Sequence, residues 1–272
     1  MDAFNAIVNA ALRGFVAIFA WAPPVVSLTV LSMLAGLGML WVVRKTSDQA
    51  RIRAVKRKVH AYLLEMRLYA EDPTALWHAQ KNLMIANLRY MGLALRPALW
   101  MALPLAILLI HMEAFYGRAP LTPGRPALVT AGLRGKAAVS GARIDLLPPP
   151  GVEVSSPPVR IVEERQVSWR IVPSHATSGE LRFAINGRSF AKVIEAGGGP
   201  RFIAGRRVSS AWAALWHPDE PRIGPSDVEW VEIAYPEAYI DVFGLRLNWL
   251  LWFLIVSMFS ALLLRKHFGV TL

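Results

Sequence analysis

Few side chains in this sequence stand at spacings that support chemistry. His217-Pro218-Asp219-Glu220 is the one local run of ligand-type side chains. Its spacing matches no metal motif, and it reads as a solvated turn. His60 and His78 fall on the two arms of a helical hairpin and read as surface or seam residues. His111 and Glu113 end an apolar stretch, where polar side chains anchor a helix. Gly197-Gly198-Gly199 lacks the strand-to-helix context of a phosphate loop and reads as a flexible turn. No serine occupies a nucleophile elbow. With no cysteine in the chain, disulfides, thiolate metal sites and cysteine nucleophiles are excluded. The expectation is a protein that is not an enzyme and needs no cofactor or metal.

Two other constellations remain. Arg51, Arg53, Lys56, Arg57 and Lys58 concentrate positive charge in eight residues. Such a run is a solvated face that fixes topology, a contact for a ribosome, anionic lipid or an arriving polypeptide, or both. Ser27, Thr29 and Ser32 in one apolar stretch, and Asn248, Ser257 and Ser260 in another, are polar groups in apolar surroundings. They either mediate close helix packing or line a polar cavity within a membrane.

The elements that carry these residues follow from hydropathy. Of the 272 residues, 54% are hydrophobic, and the excess is concentrated in three stretches. Pro24 to Val43 has no charge, Met91 to Met112 is apolar except for Arg96 and His111, and Leu247 to Leu264 has no charge. About 20 apolar residues cross about 30 Å of hydrocarbon, so three transmembrane helices are predicted. Pro97 and Pro104 fall in the second, where proline kinks a helix and frees carbonyls.

The net charge of +11 would suggest nucleic acid in a soluble chain. Here its distribution argues for membrane topology instead, with no specific nucleic-acid partner. Residues 44–96 carry 11 Lys/Arg against 4 Asp/Glu, while residues 113–246 carry 16 against 14. Basic loops stay cytoplasmic. The expected orientation therefore places the N-terminus outside, 44–96 inside, 113–246 outside and the C-terminus inside a bacterial cytoplasmic (inner) membrane.

Before the first span, Phe4, Ile7, Val8, Ala11, Leu12, Phe15 and Phe19 recur at helical spacing, with Asn5, Asn9 and Arg13 largely off that stripe. This predicts an amphipathic interfacial helix over 1–22; an uncleaved signal anchor is the alternative. After the span at 23–43, Ile52, Val55, Val59, Tyr62, Met66 and Tyr69 follow heptad spacing. So do Leu76, Ala79, Leu83, Ala86 and Tyr90. Between the two series Asp72 is a good N-cap and Pro73 a good first helical residue. An antiparallel, basic helical hairpin is predicted over 44–93, followed by the second span at 94–112.

Residues 113–245 change character. Short apolar runs alternate with proline and glycine, giving candidate strands at Ala127–Leu133, Arg143–Leu147, Val159–Glu163, Gln166–Val172, Glu180–Ile185, Arg188–Glu195 and Val228–Tyr235. Asn186-Gly187 is a hairpin signal. Residues 211–226 read as a long loop with a helical turn. A β-sandwich of immunoglobulin-like shape is predicted, followed by the third span at 246–264 and a tail at 265–272. The expected fold class is an α-helical membrane protein with three transmembrane helices and a cytoplasmic hairpin, plus an inserted all-β periplasmic sandwich.

The segment Asp48-Gln49, the Lys56–Lys58 cluster, Asp72-Pro73-x-x-Leu76, Gln80-Lys81, Arg96-Pro97 and Leu103-Pro104 resembles the YidC/Oxa superfamily of membrane-protein insertases. The nearest likeness is to its minimal three-span branch, which includes archaeal YidC-like proteins and the insertase-like subunit of the ER membrane protein complex. The resemblance covers roughly residues 1–112 and 245–272. It implies an outside N-terminus, a cytoplasmic coiled-coil hairpin between the first two spans, and a shallow polar groove. In that groove a client's polar flank would be sheltered from hydrocarbon, where each unsatisfied group costs several kcal/mol. The chain departs from the family in two places. The family's groove arginine has no counterpart in Pro24–Val43, and the β-domain lies between the second and third spans instead of preceding the core.

The expected function is a membrane-protein insertase or membrane chaperone. Its partners would be newly made membrane proteins, with ribosome or anionic lipid at the hairpin. Ser27, Thr29, Ser32, Asn248, Ser257 and Ser260 are the candidate client groove, and Arg51, Arg53, Lys56, Arg57 and Lys58 the candidate recruitment surface. The alternative is a non-insertase envelope scaffold or receptor whose β-sandwich binds a partner protein.

Overall fold

The computed structural model describes residues 1–69, 71–141, 144–185, 187–198, 202–224, 227–242 and 244–268. In chain order the helices are α1 (Asp2–Ile18), α2 (Pro24–Thr46), α3 (Gln49–Leu68) and α4 (Pro73–Tyr116). There follow β1 (Ala127–Leu133), α5 (Lys136–Gly141), β2 (Ile144–Leu147), β3 (Val152–Val154), β4 (Val159–Ile161), β5 (Gln166–Pro173), β6 (Thr177–Ile185) and β7 (Arg188–Ala196). Last come β8 (Arg206–Val208), α6 (Ala213–Trp216), β9 (Val228–Ile233), β10 (Tyr239–Val242), β11 (Leu245–Asn248) and α7 (Trp249–Phe268). The chain forms two compact units: Met1–Leu28 with Leu108–Trp249, and Thr29–Ile107 with Leu250–Leu272.

The second unit is helical. α2, α4 and α7 are the three helices among the described residues that are long and apolar enough to cross a membrane. α4 is the unexpected one. The second arm of the hairpin and the second span are a single helix of 44 residues, with Pro97 and Pro104 inside it. At about 1.5 Å per residue it extends some 66 Å, roughly twice the thickness of a hydrocarbon core. α2 and α7 pack closely at Gly36, where a Cβ would collide with Ser260 Oγ and the Ser257 carbonyl. Trp252 Nε1 donates to Thr29 Oγ1 at 2.9 Å.

The hairpin follows the heptad reading. Ile52, Ala79 and Ala86 are buried, and Val55, Val59, Tyr62, Met66, Leu76, Leu83 and Tyr90 are half-buried. Tyr69, the last expected seam residue, is exposed. Residues 51–58 of α3 share a cavity with Arg89, Gly92 and Leu93 of α4, so the arms run antiparallel. Each arm has the cap its sequence provides. Asp48 accepts from Arg51 N, and Asp72 from Thr74 N and Ala75 N.

Two of the three antiparallel sheets of the first unit surround one core. The larger runs β3-β5-β1-β9-β8, with β4 also paired to β5, and the smaller runs β2-β6-β7. Alternating side chains of both enter one buried cluster, including Val129, Ala131, Val167, Trp169, Leu181, Phe183, Ile194 and Val231. Trp169 meets Phe183 edge to face at 5.8 Å between ring centres. β1 pairs antiparallel with both β5 and β9. This differs from the immunoglobulin order, in which the first strand lies at an edge. Gly132 marks a register shift in β1, and the indole of Trp230 occupies the space a Cβ would need there.

All seven expected strands are present, with Arg143 outside the described residues. β3, β8, β10 and β11 were not expected; at three or four residues each, they carry too little alternation to be read. Of the turn signals, Asn186, Gly199 and Pro225 also lie outside the described residues. Gly187 adopts φ +78°, the left-handed conformation glycine favours.

Candidate functional site

The expected groove residues fall into different settings. Ser27, Ser32, Ser257 and Ser260 are buried and Thr29 half-buried. Ser27 Oγ donates to Pro24 O and accepts from Tyr116 OH at 2.9 Å. Ser257 Oγ donates to Leu254 O, and Ser260 Oγ to Ser257 O. These are back-bonds to the preceding turn, the usual way a helical hydroxyl satisfies itself in apolar surroundings. Within the helical unit, Thr29, Ser257 and Ser260 therefore lie at packed helix contacts. Asn248 is not in the third span: it ends β11 opposite Tyr239, because β10 and β11 form a hairpin immediately before α7.

The basic run divides over two surfaces of α3. Arg53, Lys56 and Arg57, with Ala50 and His60, line an open concavity of about 680 Å³. Arg51 and Lys58 turn toward α4 and border the shared cavity near Arg89. Arg51 also pairs with the capping Asp48, Nε to Oδ2 3.1 Å. All five cations are exposed. His60 and His78 each bond the carbonyl four residues earlier, those of Lys56 and Thr74.

The run at 217–220 overturns the sequence reading. It is not a solvated turn: Pro218 and Asp219 are buried, and the Glu220 carboxylate is almost fully covered. Glu220 Oε2 pairs with Lys192 Nζ at 2.8 Å, and Lys192, wholly buried on β7, also donates to Ala204 O at 2.6 Å. Glu220 Oε1 accepts from Val193 N. Asp219 Oδ2 faces Arg118 Nη1 at 3.9 Å. Glu195 accepts from Ser178 Oγ at 2.7 Å, and its own N–H donates to Tyr235 OH. β7 supplies Lys192, Val193 and Glu195, so one strand threads apolar core residues and this polar layer together. Sequence reasoning missed the cluster because its members lie far apart along the chain. The strand pattern carried one available signal, a lysine at the inward register of β7.

Burial sets the electrostatics. It raises the Asp219 carboxyl to about 6, with Arg118 and Lys192 opposing. It lowers the Lys192 ammonium, with Glu220 opposing most strongly. It raises the Tyr235 phenol, and it lowers His217, where Arg206 and Arg118 add repulsion. No group of three His, Cys, Asp or Glu among the described residues is arranged to hold a metal ion.

α1 closes over this layer. Asn5 Nδ2 donates to Ala214 O at 2.9 Å and Asn9 Nδ2 to Pro218 O at 2.8 Å. Asp2 pairs with Arg222 at 3.0 Å. Asn5, Asn9, Leu12 and Val16 are the buried residues of the helix, while Ile7 stays 69% exposed. The polar stripe thus docks on the β-sheet unit, and much of the apolar stripe faces outward. Between the end of α1 and the sheet lies a cavity of about 690 Å³, bordered by Arg13, Ala17, Phe115, Glu195, Phe202 and Asp219 among others.

No family model matches the chain, and neither a curated protein nor a solved structure does.

Proposed function

We propose that this protein is a membrane-protein insertase or membrane chaperone of the YidC type, with the β-sheet unit outside and the hairpin in the cytoplasm. The observation that carries the reading is the helical unit. Three helices of membrane-crossing length accompany a capped hairpin whose seam is largely half-buried and whose cations are exposed. The second arm is continuous with a span. A rigid basic arm of this kind would meet an arriving chain or anionic surface at the cytoplasmic face and relay it to the bilayer. The side chains of α4 between residues 99 and 106 are almost all exposed, which leaves an apolar helix face open to lipid and to a client segment.

The test is reconstitution of the full chain in proteoliposomes, with a short membrane protein supplied by cell-free translation. The reading expects protease-protected client in the presence of the chain, and a several-fold loss when Arg53, Lys56 and Arg57 are changed to Glu. Equal insertion with and without the chain contradicts it.

A second reading is favoured by one observation. Trp212 and Trp216, at 70% and 58% exposure, stand on and beside α6 at a cavity they share with Arg206 and Trp230. Exposed tryptophans are typical anchors of protein interfaces. In this reading the β-sheet unit is an envelope scaffold or receptor. Pull-down with the full chain and a Trp212→Ala, Trp216→Ala variant separates the two, since a partner lost with the tryptophans would support the scaffold.

A further inference from the structure

The cavity between α1 and the β-sheet unit has two chemically different parts. One wall is apolar, made by Val16 and Ala17 of α1, Ala20 just after it, and Phe115 on the last turn of α4. The inner part is acidic, made by Glu195, Asp219 and Glu220. Two cations lie beside Asp219 and Glu220, and the Arg118 Nη1 makes no hydrogen bond there. Lys192 is held by Glu220 and by Ala204 O, and Arg118 faces Asp219. Glu195 is different. Its residue exposure is 7%, its carboxylate accepts one hydroxyl, and no ion pair with it exists among the described residues. A buried carboxylate without a cation is costly. At the rim, Arg13 lies over the Phe202 ring at 3.9 Å and makes no ion pair among the described residues, so its guanidinium edge is available.

A carboxylate lacking a cation inside, a guanidinium at the mouth and an apolar wall together describe a zwitterion that carries hydrocarbon. We propose that this cavity binds the head group of an aminophospholipid. The ammonium sits against Glu195, the phosphate against Arg13, and the acyl chains leave along Ala17, Ala20 and Phe115. A lipid is favoured over a soluble zwitterion by what surrounds the wall. α1 exposes Phe4, Ile7 and Ile18, and Phe115 belongs to the helix that supplies the longest apolar span. The volume, about 690 Å³, is in the range of a small-molecule site and suits a head group with the start of its chains. The inference requires only that the apolar helices span a bilayer; it is independent of insertase activity.

The experiment is native mass spectrometry of the full chain released from nanodiscs containing equal phosphatidylethanolamine, phosphatidylcholine and phosphatidylglycerol. The choline head group has the same charge as ethanolamine but no N–H to donate. The proposal expects phosphatidylethanolamine to be retained about tenfold over phosphatidylcholine, the equivalent of one charged hydrogen bond. Glu195→Gln should erase that preference, and Arg13→Ala should reduce retention of both zwitterionic lipids. Should Glu195→Gln fail to fold, Arg13→Ala, at the exposed rim, carries the test alone. Equal retention of the two zwitterionic lipids by the unaltered chain overturns the proposal, as does a preference that survives both substitutions. Soluble phosphoethanolamine competing as well as the whole lipid would overturn the lipid assignment, and so would a co-purified polypeptide occupying the cavity.

Discussion

The two units handle the same side chains in opposite ways. In the sheets of the β-sheet unit, Phe183, Ile171, Ile194 and Leu181 are inside and even a lysine is fully buried, paired with Glu220. In the helical unit, Leu99, Trp100, Leu103, Leu254 and Phe259 are on the outside, and the cations of the hairpin are all exposed. An apolar exterior of this kind suits hydrocarbon, and an apolar interior suits water. The hydrogen bonds follow the same division. The β-sheet unit joins polar groups distant in sequence, as in Lys192–Glu220 and Arg206–Glu232, while Ser257 and Ser260 of α7 bond back to their own helix.

Removing one cation from each unit breaks the comparison most sharply. Lys192→Met should cost about 3–5 kcal/mol by leaving Glu220 buried and unpaired. Adding Glu220→Leu should recover most of it. Arg57→Ala, on the solvated face, should change stability by less than about 0.5 kcal/mol. Amide exchange in β6 and β7, compared with α3, reads both.

The next effect is pH-dependent and confined to the β-sheet unit. Asp219 is held near 6, above the ordinary 3.8, because it is buried. A raised carboxyl contributes stability that is fully present below pH 3.8 and is lost as pH rises through about 6. Asp219→Asn removes the titration. Between pH 4 and 7 the unaltered chain should therefore lose up to about 3 kcal/mol relative to the variant, from a shift of about two units. Parallel pH profiles for the two chains would show that Asp219 titrates normally.

In the helical unit Gly36 lies close against α7, with no room for a Cβ. Gly36→Leu should cost about 1–3 kcal/mol by overpacking and speed amide exchange in α7, leaving β6 and β7 unchanged. Smaller is the effect of Asp72→Ala, which removes the cap from two backbone donors of α4. A loss of about 1 kcal/mol, seen as fraying of the residues after Pro73, is expected.

How much of this was legible in the sequence also divides by unit. Helices announce themselves, so the hairpin seam from Ile52 to Tyr90 could be read from spacing, except at Tyr69, and the three apolar helices from long uncharged runs. The merging of arm and span into α4 could not, because Pro97 and Pro104 favour an interruption locally and both are accommodated within the helix. In the β-sheet unit, alternation located the long strands, whereas β3, β8, β10 and β11 depend on partners rather than on their own pattern. The polar layer was hidden for the same reason. Lys192, Glu195, Asp219 and Glu220 meet only once β7 and the segment before Pro221 are side by side. α1 was legible as amphipathic, but not which face would dock. Asn5 and Asn9 were the informative residues there, since each satisfies a backbone carbonyl of the β-sheet unit.

In the proposed function the helical unit receives client segments through its basic hairpin. Photo-crosslinking from a probe replacing Arg57, in the Arg53–Lys56 concavity, tests this most directly in cells during synthesis of membrane proteins. The account expects short-lived crosslinks to many nascent membrane proteins, and their loss from a control probe at Trp212 on the β-sheet unit. Crosslinks from residue 57 to one stable partner, or only to this chain itself, would contradict it.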